Sequence, residues 1–296
     1  MSGSRAGPGC LLRAVDRVEQ WPGADGVIDA GRAAVRSLPL GGFRDVLHGR
    51  WLGHPLHPAL VQLPTGAWIS AAVLDLVPGQ ERAARTLVGV GLATAGPAAW
   101  AGWTDWAELR RPQQRVGVVH AAANAGGVIL YGFSYAARAR GRFVQGRAWG
   151  LAGLALVGAG GALGGHMAYR QGAGTNHAEA VPDQIGTGWY DLGELEDLPV
   201  GRPVKRHAED EPLVVVREAG GAVRALTGRC GHMGGPLFDG EIADGCVRCP
   251  WHGSRFRLVD GWNVEGPATA PQPAFETRVT DGHVEARLIR RSYGDD

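Results

Sequence analysis

The residues best suited to chemistry in this chain are two cysteines and two histidines, arranged as two mixed pairs. Cys230 and His232 form a Cys-x-His pair, and Cys249 and His252 follow as a Cys-x-x-His pair. Two thiolates and two neutral imidazoles hold a [2Fe–2S] cluster when the thiolates bind one iron and the imidazoles the other. A structural zinc ion is the alternative, but zinc sites usually pair Cys with Cys and His with His. The mixed pairs therefore favour the cluster, with the imidazole-bound iron nearer the surface.

The sequence around these residues resembles the Rieske [2Fe–2S] family. Residues 230–237 (CGHMGGPL) resemble its first ligand loop, and residues 249–256 (CPWHGSRF) resemble its second. Residues 266–271 (GPATAP) resemble the proline-rich loop that covers the cluster in that family. The resemblance extends from about Trp189 to Leu288, and it implies a small all-β domain that binds one cluster.

The resemblance also implies roles for individual residues. The cysteines would bind one iron and the histidines the other, which gives the ligand set Cys230, Cys249, His232 and His252. Three further residues would lie next to the cluster: Ser254, Phe256 and Pro267.

Two departures from the family pattern concern the redox potential. High-potential members carry an additional cysteine in each ligand loop, and these two cysteines form a disulfide. The corresponding residues here are Gly235 and Trp251, so that disulfide cannot form. The tyrosine of high-potential members is replaced by Phe256, although Ser254 is kept. With fewer hydrogen-bond donors near the cluster, its reduced state is less stable than in high-potential members. We therefore expect a midpoint potential in the lower half of the family range.

Length and composition indicate about two domains and exclude some functions. The chain has 296 residues and a net charge of +1, which gives no reason to expect a nucleic-acid partner. Four cysteines are present, and the pattern does not indicate a disulfide framework. Cys246 is expected to be a small buried residue of a strand, and Cys10 a free thiol.

Four apolar windows precede the cluster motif and are long enough to cross a hydrocarbon core of about 30 Å. They contain many Ala and Gly residues, which allow membrane helices to approach closely. Short arginine-bearing connectors separate the windows and favour an antiparallel four-helix transmembrane bundle. A soluble helical domain is the alternative. The windows are residues 57–77, 86–104, 116–137 and 148–169.

The predicted domain organisation follows from these patterns. Residues 1–45 form an N-terminal segment that is either amphipathic, lying on a membrane surface, or disordered. Residues 46–170 form the four-helix transmembrane domain, and residues 171–184 a flexible linker. Short strands with Gly-rich turns over residues 185–291 form the all-β Rieske domain.

Several polar residues lie in the predicted membrane part, where ionisable groups usually mark function. On the up-and-down path of four spans they converge at one face, where they could bind a haem, a metal ion or a quinone. Residues 46–170, with their His-Pro-x-His-Pro opening, resemble an uncharacterised bacterial family of four-helix membrane proteins. That resemblance implies a fold but no reaction. The candidate residues are His54, His57, Asp105, His120, Asn124 and His166.

The sequence thus predicts a multi-pass cell-membrane protein that carries single electrons between a donor and an acceptor through a [2Fe–2S] cluster. Redox proteins or a quinol are the expected partners, together with membrane lipid. One alternative is a quinol- or haem-linked oxidoreductase with a second redox group in the bundle, and another is a redox sensor. Arginines are almost evenly divided between the two faces, and no twin-arginine signal for export is present. We therefore expect the Rieske domain in the cytoplasm.

Overall fold

The computed structural model describes the backbone of residues 10–290 and the side chains of residues 12–290. Residues 1–9 of the predicted N-terminal segment, and the predicted free thiol of Cys10, lie outside these limits. The helices are α1 (Cys10–Gln20), α2 (Asp25–Ser37), α3 (Phe43–Leu47), α4 (Leu56–Leu60), α5 (Gln62–Leu74), α6 (Glu81–Trp106), α7 (Arg111–Ala139), α8 (Phe143–Gly165) and α9 (Val181–Gln184).

Ten strands are described, and all of them follow α9. They are β1 (Tyr190–Glu194), β2 (Pro203–Ala208), β3 (Glu211–Arg217), β4 (Val223–Thr227), β5 (Glu241–Ala243), β6 (Cys246–Arg248), β7 (Arg255–Arg257), β8 (Asn263–Glu265), β9 (Ala274–Thr280) and β10 (His283–Leu288).

The chain divides into two compact units. The first, helical unit contains the chain up to Leu40 together with Leu56–Ala173, and the second contains Gly41–Pro55 together with the chain from Gly174 onward. The predicted domain bounds stay predictions, but these units differ from them in one respect. Segment 41–55, which lies between α2 and α4 in the sequence and contains α3, belongs to the β unit.

Within residues 10–290, two helices of the helical unit are long and apolar enough to cross a membrane. They are Arg111–Ala139, and Phe143–Arg170, which is α8 extended by one π-type turn. The first predicted window is divided between α4 and α5, because Pro64 has no N–H to donate to the carbonyl of Leu60. With 13 residues, α5 is about 20 Å long, shorter than the hydrocarbon core. The four-span bundle is therefore not confirmed, and two candidate spans are supported.

Small residues allow the helices to pack closely, as the composition predicts. The rings of Trp68 and Tyr131 stack with centroids 4.1 Å apart in the core of the helical unit. A Cβ atom at Gly91 would lie 2.1 Å from the Trp68 ring, and one at Gly153 would lie 3.0 Å from the Tyr131 ring. Glycine at these two positions leaves the space that the aromatic pair occupies.

The N-terminal segment contains α1 and α2, separated by the extended residue Trp21 and a short 3-10 turn, and charged pairs attach it to the rest of the helical unit. Arg115 of α7 donates to both carboxylate oxygens of Asp25, at 2.8 and 2.7 Å. His166 lies 2.7 Å from a carboxylate oxygen of Glu19. These contacts fix α1 and α2 against the longer helices.

The β unit consists of two antiparallel sheets. The larger has the order β1-β10-β9-β4-β3-β2, and the smaller has the order β5-β6-β7-β8. Alternate residues of β3 point to opposite faces, so Leu213 and Val215 join one core cluster while Val214 and Val216 join the other. Each such buried aliphatic side chain stabilises the fold by about 1.5 to 3 kcal/mol.

Candidate metal centre

Two loops with the same pattern of backbone hydrogen bonds carry the four predicted ligands. The first follows β4, and the N–H of Cys230 donates to the carbonyl of Gly235 at 2.8 Å, while the N–H of Gly234 donates to the carbonyl of Cys230 at 2.7 Å. The second loop, between β6 and β7, repeats both bonds from Cys249, to Ser254 at 2.8 Å and from Gly253 at 3.1 Å.

The glycine four residues after each cysteine makes this shared turn possible. Gly234 and Gly253 both have φ of +75°, in the left-handed region that side chains with a Cβ atom rarely adopt. Each loop therefore folds back on its own cysteine and presents the sulfur and the following backbone N–H groups to the same side.

The two sulfurs lie close together and are surrounded by donors. The Cys230 thiol donates to the Cys249 sulfur, and this hydrogen bond, together with backbone N–H donors, lowers the pKa of Cys249 to about 7 against the opposing effect of burial. The same bond, together with burial, raises the pKa of Cys230. Backbone N–H groups of His232 and Met233 donate to the sulfur of Cys230. Those of Trp251 and His252 donate to the sulfur of Cys249. Four N–H donors directed at two sulfurs favour negative charge on them, which is the state that binds iron.

The two histidines face each other beside the sulfurs. The rings of His232 and His252 are perpendicular, with centroids 5.0 Å apart, and both side chains are half-buried. Burial, together with nearby His252, His48 and His177, lowers the pKa of His232 well below its ordinary value. The His232 ring is therefore neutral and has a lone pair available for a metal.

The Nδ1 atom of His232 indicates that the site is built to hold a metal centre. This atom is buried and has no hydrogen-bond partner among residues 12–290. Buried polar atoms are almost always satisfied, so an unsatisfied one needs an explanation. A bond to iron would satisfy it. The residues present therefore fit a cluster bound by two sulfurs and two imidazoles.

Ser254 and Phe256 lie close to the predicted ligands in the sequence and in the core. Ser254 is fully buried, and its hydroxyl oxygen accepts the N–H of Ala268, which follows Pro267, at 3.1 Å. This leaves the hydroxyl hydrogen free to donate to a cluster sulfur. Phe256 is packed in the same core cluster as the two cysteines and has no donor to offer.

The positions of the disulfide of high-potential members are occupied by Gly235 and Trp251. Gly235 packs directly against the second loop, because a Cβ atom there would lie 2.8 Å from the Cys249 sulfur and 3.2 Å from the Trp251 ring. Trp251 is 48% exposed and lies beside His252, with ring centroids 6.4 Å apart. Cys246 is buried in β6, paired with Arg257 of β7, and is a free thiol.

The segment 41–55 also contributes to the site, and sequence reasoning missed this contribution. Asp45 accepts the N–H of Gly266, at the start of the proline-rich loop, at 3.0 Å. Arg50 donates to the carbonyl of Asn263 at 3.4 Å and lies 3.6 Å from Asp45. His48 is 2% exposed and influences the ionisation of His232. No local motif marks this segment, which lies far from the ligand loops in sequence.

Part of the predicted linker has a fixed conformation in the same unit. The N–H of His177 donates to the carbonyl of Gly231 in the first ligand loop at 2.7 Å. Val181 at the start of α9 is buried in one of the two core clusters. The portion from residue 176 onward is therefore attached to the β unit, which leaves less of the chain as a free tether.

Gln272 is the other residue that the sequence did not reveal. It is 1% exposed, and its carbonyl oxygen accepts the N–H of Gly231 at 2.8 Å. Its amide nitrogen donates to the carbonyls of Arg229 and Thr227, at 2.7 and 3.3 Å. One side chain thus connects the proline-rich loop to the first ligand loop. Its position immediately after the Pro271 motif was the only available signal.

Replacing Gln272 by methionine should loosen the first ligand loop. Methionine keeps the length of the side chain but leaves a buried N–H and two carbonyls unsatisfied, which should lower the free energy of unfolding by about 2 to 4 kcal/mol. Thermal loss of the visible circular dichroism of the cluster measures the effect. The exposed Gln184 provides the matched control, and Gln184→Met should leave the transition unchanged. Equal stability of both variants would show that Gln272 does not fix the loop.

The polar residues predicted for the membrane part are only partly gathered. His57 and His120 are neighbours, with ring centroids 6.1 Å apart, and the Asn124 amide donates to the carbonyl of His120 at 2.8 Å. His166 pairs with Glu19, as described above, and Asp105 is half-buried near the end of α6. His54 is exposed and belongs to the β unit, so it does not share a unit with the others.

The sheets and the two ligand loops define the second unit as a β domain built to hold a mixed-ligand iron–sulfur cluster. Two family models match the chain: "Rieske [2Fe-2S] domain" over residues 188–276, and "Predicted membrane protein (DUF2231)" over residues 53–177. Through its C-terminal part the chain belongs to the Rieske [2Fe–2S] family, which implies a [2Fe–2S] cluster.

Similar proteins include components of oxygenase systems. The chain is 31% identical over 100 residues to the anthranilate 1,2-dioxygenase ferredoxin subunit of Burkholderia cepacia, covering 34% of this chain and 92% of that protein. It is 36% identical over 92 residues to the 3-ketosteroid-9-alpha-monooxygenase oxygenase component of Rhodococcus rhodochrous, covering 31% of this chain and 22% of that protein. The solved ferredoxin of carbazole 1,9a-dioxygenase from Nocardioides aromaticivorans IC177 is 24% identical, with a TM-score of 0.32, and covers 33% of this chain and 96% of that one.

The surroundings of the cluster site predict its midpoint potential. Rieske centres lie between about −150 and +300 mV, and with Ser254 but no tyrosine we expect about −150 to +50 mV here. A hydrogen bond that is about 1 to 2 kcal/mol stronger in the reduced state corresponds to about 40 to 90 mV for a one-electron couple. Phe256→Tyr should therefore raise the potential by that amount, and Ser254→Ala should lower it similarly.

A redox titration monitored by electron paramagnetic resonance (EPR) measures the midpoint potentials of the wild type, Phe256→Tyr and Ser254→Ala. Arg255→Gln, a neighbouring change on the surface of β7, is the control and should shift the midpoint far less. A wild-type midpoint potential near the top of the family range would contradict the prediction. An unchanged midpoint potential in Phe256→Tyr would contradict it as well.

Proposed function

We propose that the chain is a membrane-anchored carrier of single electrons between a redox donor and a redox acceptor. The observation that supports this most directly is the pair of matching ligand loops, which present two sulfurs and two half-buried imidazoles to one site. When bound, a [2Fe–2S] cluster accepts and releases one electron, and the redox chemistry is that of the cofactor.

The residues of the β unit hold, tune and expose that site. Cys230 and Cys249 would bind the inner iron, and their N–H donors offset the negative charge that rises on reduction. His232 and His252 would bind the outer iron. Because Trp251 is exposed beside His252, we place the approach of a partner at this edge. Segment 41–55 contacts the proline-rich loop through Asp45, and its His48 lies near His232.

Membrane attachment is supported by the match to a predicted membrane protein family and by the two apolar helices. We propose that the helical unit is multi-pass, contacts lipid, and keeps the β unit on the cytoplasmic side. The long helices would hold the carrier at the membrane, which restricts it to partners at the same surface.

The similar proteins favour protein partners. Their names describe a ferredoxin subunit of a dioxygenase and an oxygenase component of a monooxygenase. By this likeness we propose that the donor and the acceptor are redox proteins. A quinol is the second candidate donor, in an oxidoreductase with a further redox group among the helices. The neighbouring histidines His57 and His120 favour that candidate.

The proposal is tested on the full chain in isolated membranes. Alkaline carbonate washing should leave the chain in the pellet, and dithionite should produce the EPR spectrum of a reduced Rieske centre. Rapid mixing with oxidised cytochrome c should then remove one electron per chain and leave the cluster intact through repeated cycles. Disassembly of the cluster after one oxidation would indicate a sensor and overturn the carrier function. Reduction by added duroquinol would identify the quinol-linked alternative, and its absence would favour a protein donor.

A further inference from the structure

Two histidines in the helical unit lie close together, and each forms a hydrogen bond to a backbone carbonyl. His57 of α4 and His120 of α7 have ring centroids 6.1 Å apart, with their planes at 82°. The Nδ1 atom of His57 lies 2.7 Å from the carbonyl oxygen of Ala98, and that of His120 lies 2.7 Å from the carbonyl oxygen of Gly160. Each ring is thus anchored to a different neighbouring helix.

These hydrogen bonds determine the protonation of each neutral ring. A carbonyl oxygen can only accept, so Nδ1 is the nitrogen that carries the hydrogen in both histidines. The lone pair is therefore on Nε2 when either ring is neutral, and at His120 the Asn124 amide nitrogen lies 3.4 Å from both ring nitrogens. Histidines that bind metals almost always donate their second ring N–H to a backbone carbonyl or a carboxylate in this way.

The spacing of the rings fits one metal ion between them. A metal–nitrogen bond is about 2.1 Å long, and the nitrogen lies about 1.1 Å from the centre of its ring. If the two imidazoles bind on opposite sides of the metal, their ring centroids are roughly 6.4 Å apart. If they bind at a tetrahedral angle, the centroids are roughly 5.2 Å apart. The observed 6.1 Å is closer to the opposite arrangement.

Glycines keep both rings in position. A Cβ atom at Gly102 would lie 2.8 Å from the His57 ring, and one at Gly164 would lie 3.2 Å from the His120 ring. Asn124 lies against the His120 ring and occupies the space in front of Gly160, where a Cβ atom would lie 2.5 Å from its amide. The two imidazoles are therefore seated by close helix packing.

We propose that His57 and His120 are the two protein ligands of a second metal centre, separate from the [2Fe–2S] site. Within the described part of the chain no group of three or more His, Cys, Asp or Glu side chains forms a metal site. The remaining coordination positions must then be filled from outside the protein. Haem iron meets this requirement, because the porphyrin supplies four nitrogen ligands and two imidazoles bind on opposite sides. A free metal ion whose other coordination positions are filled by water also meets it.

The test uses the full chain, purified in detergent without a polyhistidine tag. Haemin is added in one series, and Cu²⁺ or Zn²⁺ in parallel series. We expect one equivalent to bind per chain, and haemin to give the low-spin spectrum of a bis-imidazole haem. His57→Asn and His120→Asn keep an amide N–H for the carbonyl but remove Nε2. Each should weaken binding by at least about 100-fold, more than the loss of an outer partner costs.

Two further variants keep the test decisive if an asparagine variant folds poorly. His54→Asn changes the other histidine of the same motif and should bind like the wild type. His120→Met offers a thioether and should change the haem spectrum to that of mixed His/Met ligation without abolishing binding. Binding of a metal ion but not haemin would still support the ligand pair and identify a free ion. The proposal is overturned if the wild type binds none of the three probes, or if both asparagine variants bind like His54→Asn. The EPR signal of the [2Fe–2S] cluster should persist in all variants, so this outcome is separate from the carrier function.

Discussion

Replacing any one of the four ligands should abolish the [2Fe–2S] EPR signal completely. The variants expected to lack the signal are Cys230→Ser, His232→Ala, Cys249→Ser and His252→Ala. Each change removes one of the four bonds to the cluster. The matching loops make this prediction symmetric, because each loop supplies one sulfur and one imidazole. Low-temperature EPR of dithionite-reduced membranes measures the signal in all four.

Cys246→Ser is the matched control, because it removes the same atom at a buried position outside the ligand loops. Its cluster signal should be that of the wild type, since Cys246 is a core residue of β6. Survival of the signal in any of the four ligand variants, or its loss in Cys246→Ser alone, would refute the ligand assignment. Western blotting of the membranes shows that each variant is present.

Metal analysis of the wild type separates the cluster from the zinc alternative. For Cys and His spaced in mixed pairs, two irons and two acid-labile sulfides per chain are expected, and one zinc ion is the competing result. The orphaned Nδ1 of His232 and the neighbouring sulfurs of the two cysteines fit either metal by position. The sulfide content therefore decides between them.

How much of the β unit could be predicted depended on how local each feature is in the sequence. The ligand loops were predictable because each cysteine, its histidine and the turn glycine lie within five consecutive residues. The Asp281-Gly282 turn was likewise recognisable, and it joins β9 to β10 as predicted. The edge strand β2 was missed because Lys205, Arg206 and His207 give it no apolar alternation, which is typical of a protected sheet edge.

Contacts between distant segments could not be predicted in this way. Asp45 and Gly266 are separated by 221 positions, and nothing in either local pattern points to the other. Gln272 could not be predicted for the same reason. Its role is visible only once the fold brings its three backbone partners to the side chain. The division of the first apolar window at Val61 had a local signal, Pro64, but hydropathy over a long window conceals a single missing hydrogen bond.

The buried pair Asp75 and Arg138 should give the largest effect on stability in the helical unit. The partner of Asp75 lies 63 positions later and is not apparent from the sequence. Arg138 is 2% exposed and donates to both carboxylate oxygens of Asp75, at 2.6 and 2.5 Å. Its Nε atom donates to Ser134, which donates in turn to the carbonyl of Gly146 on α8. One guanidinium thus connects the end of α5 to α7 and α8.

Asp75→Asn should lower the free energy of unfolding by about 3 to 5 kcal/mol, because it leaves a buried guanidinium without its counter-charge. Arg138→Met should cost less, since Arg147 lies 3.5 Å from Asp75 and can still compensate the carboxylate. The double variant should recover part of the loss, because neither charge is then left buried alone. Thermal unfolding of the detergent-solubilised chain, followed by far-ultraviolet circular dichroism, measures all three. The exposed pair of Arg287 and Glu276 serves as the control, and Glu276→Gln should not shift the transition. If Asp75→Asn were as stable as that control, the buried pair would not hold the three helices together.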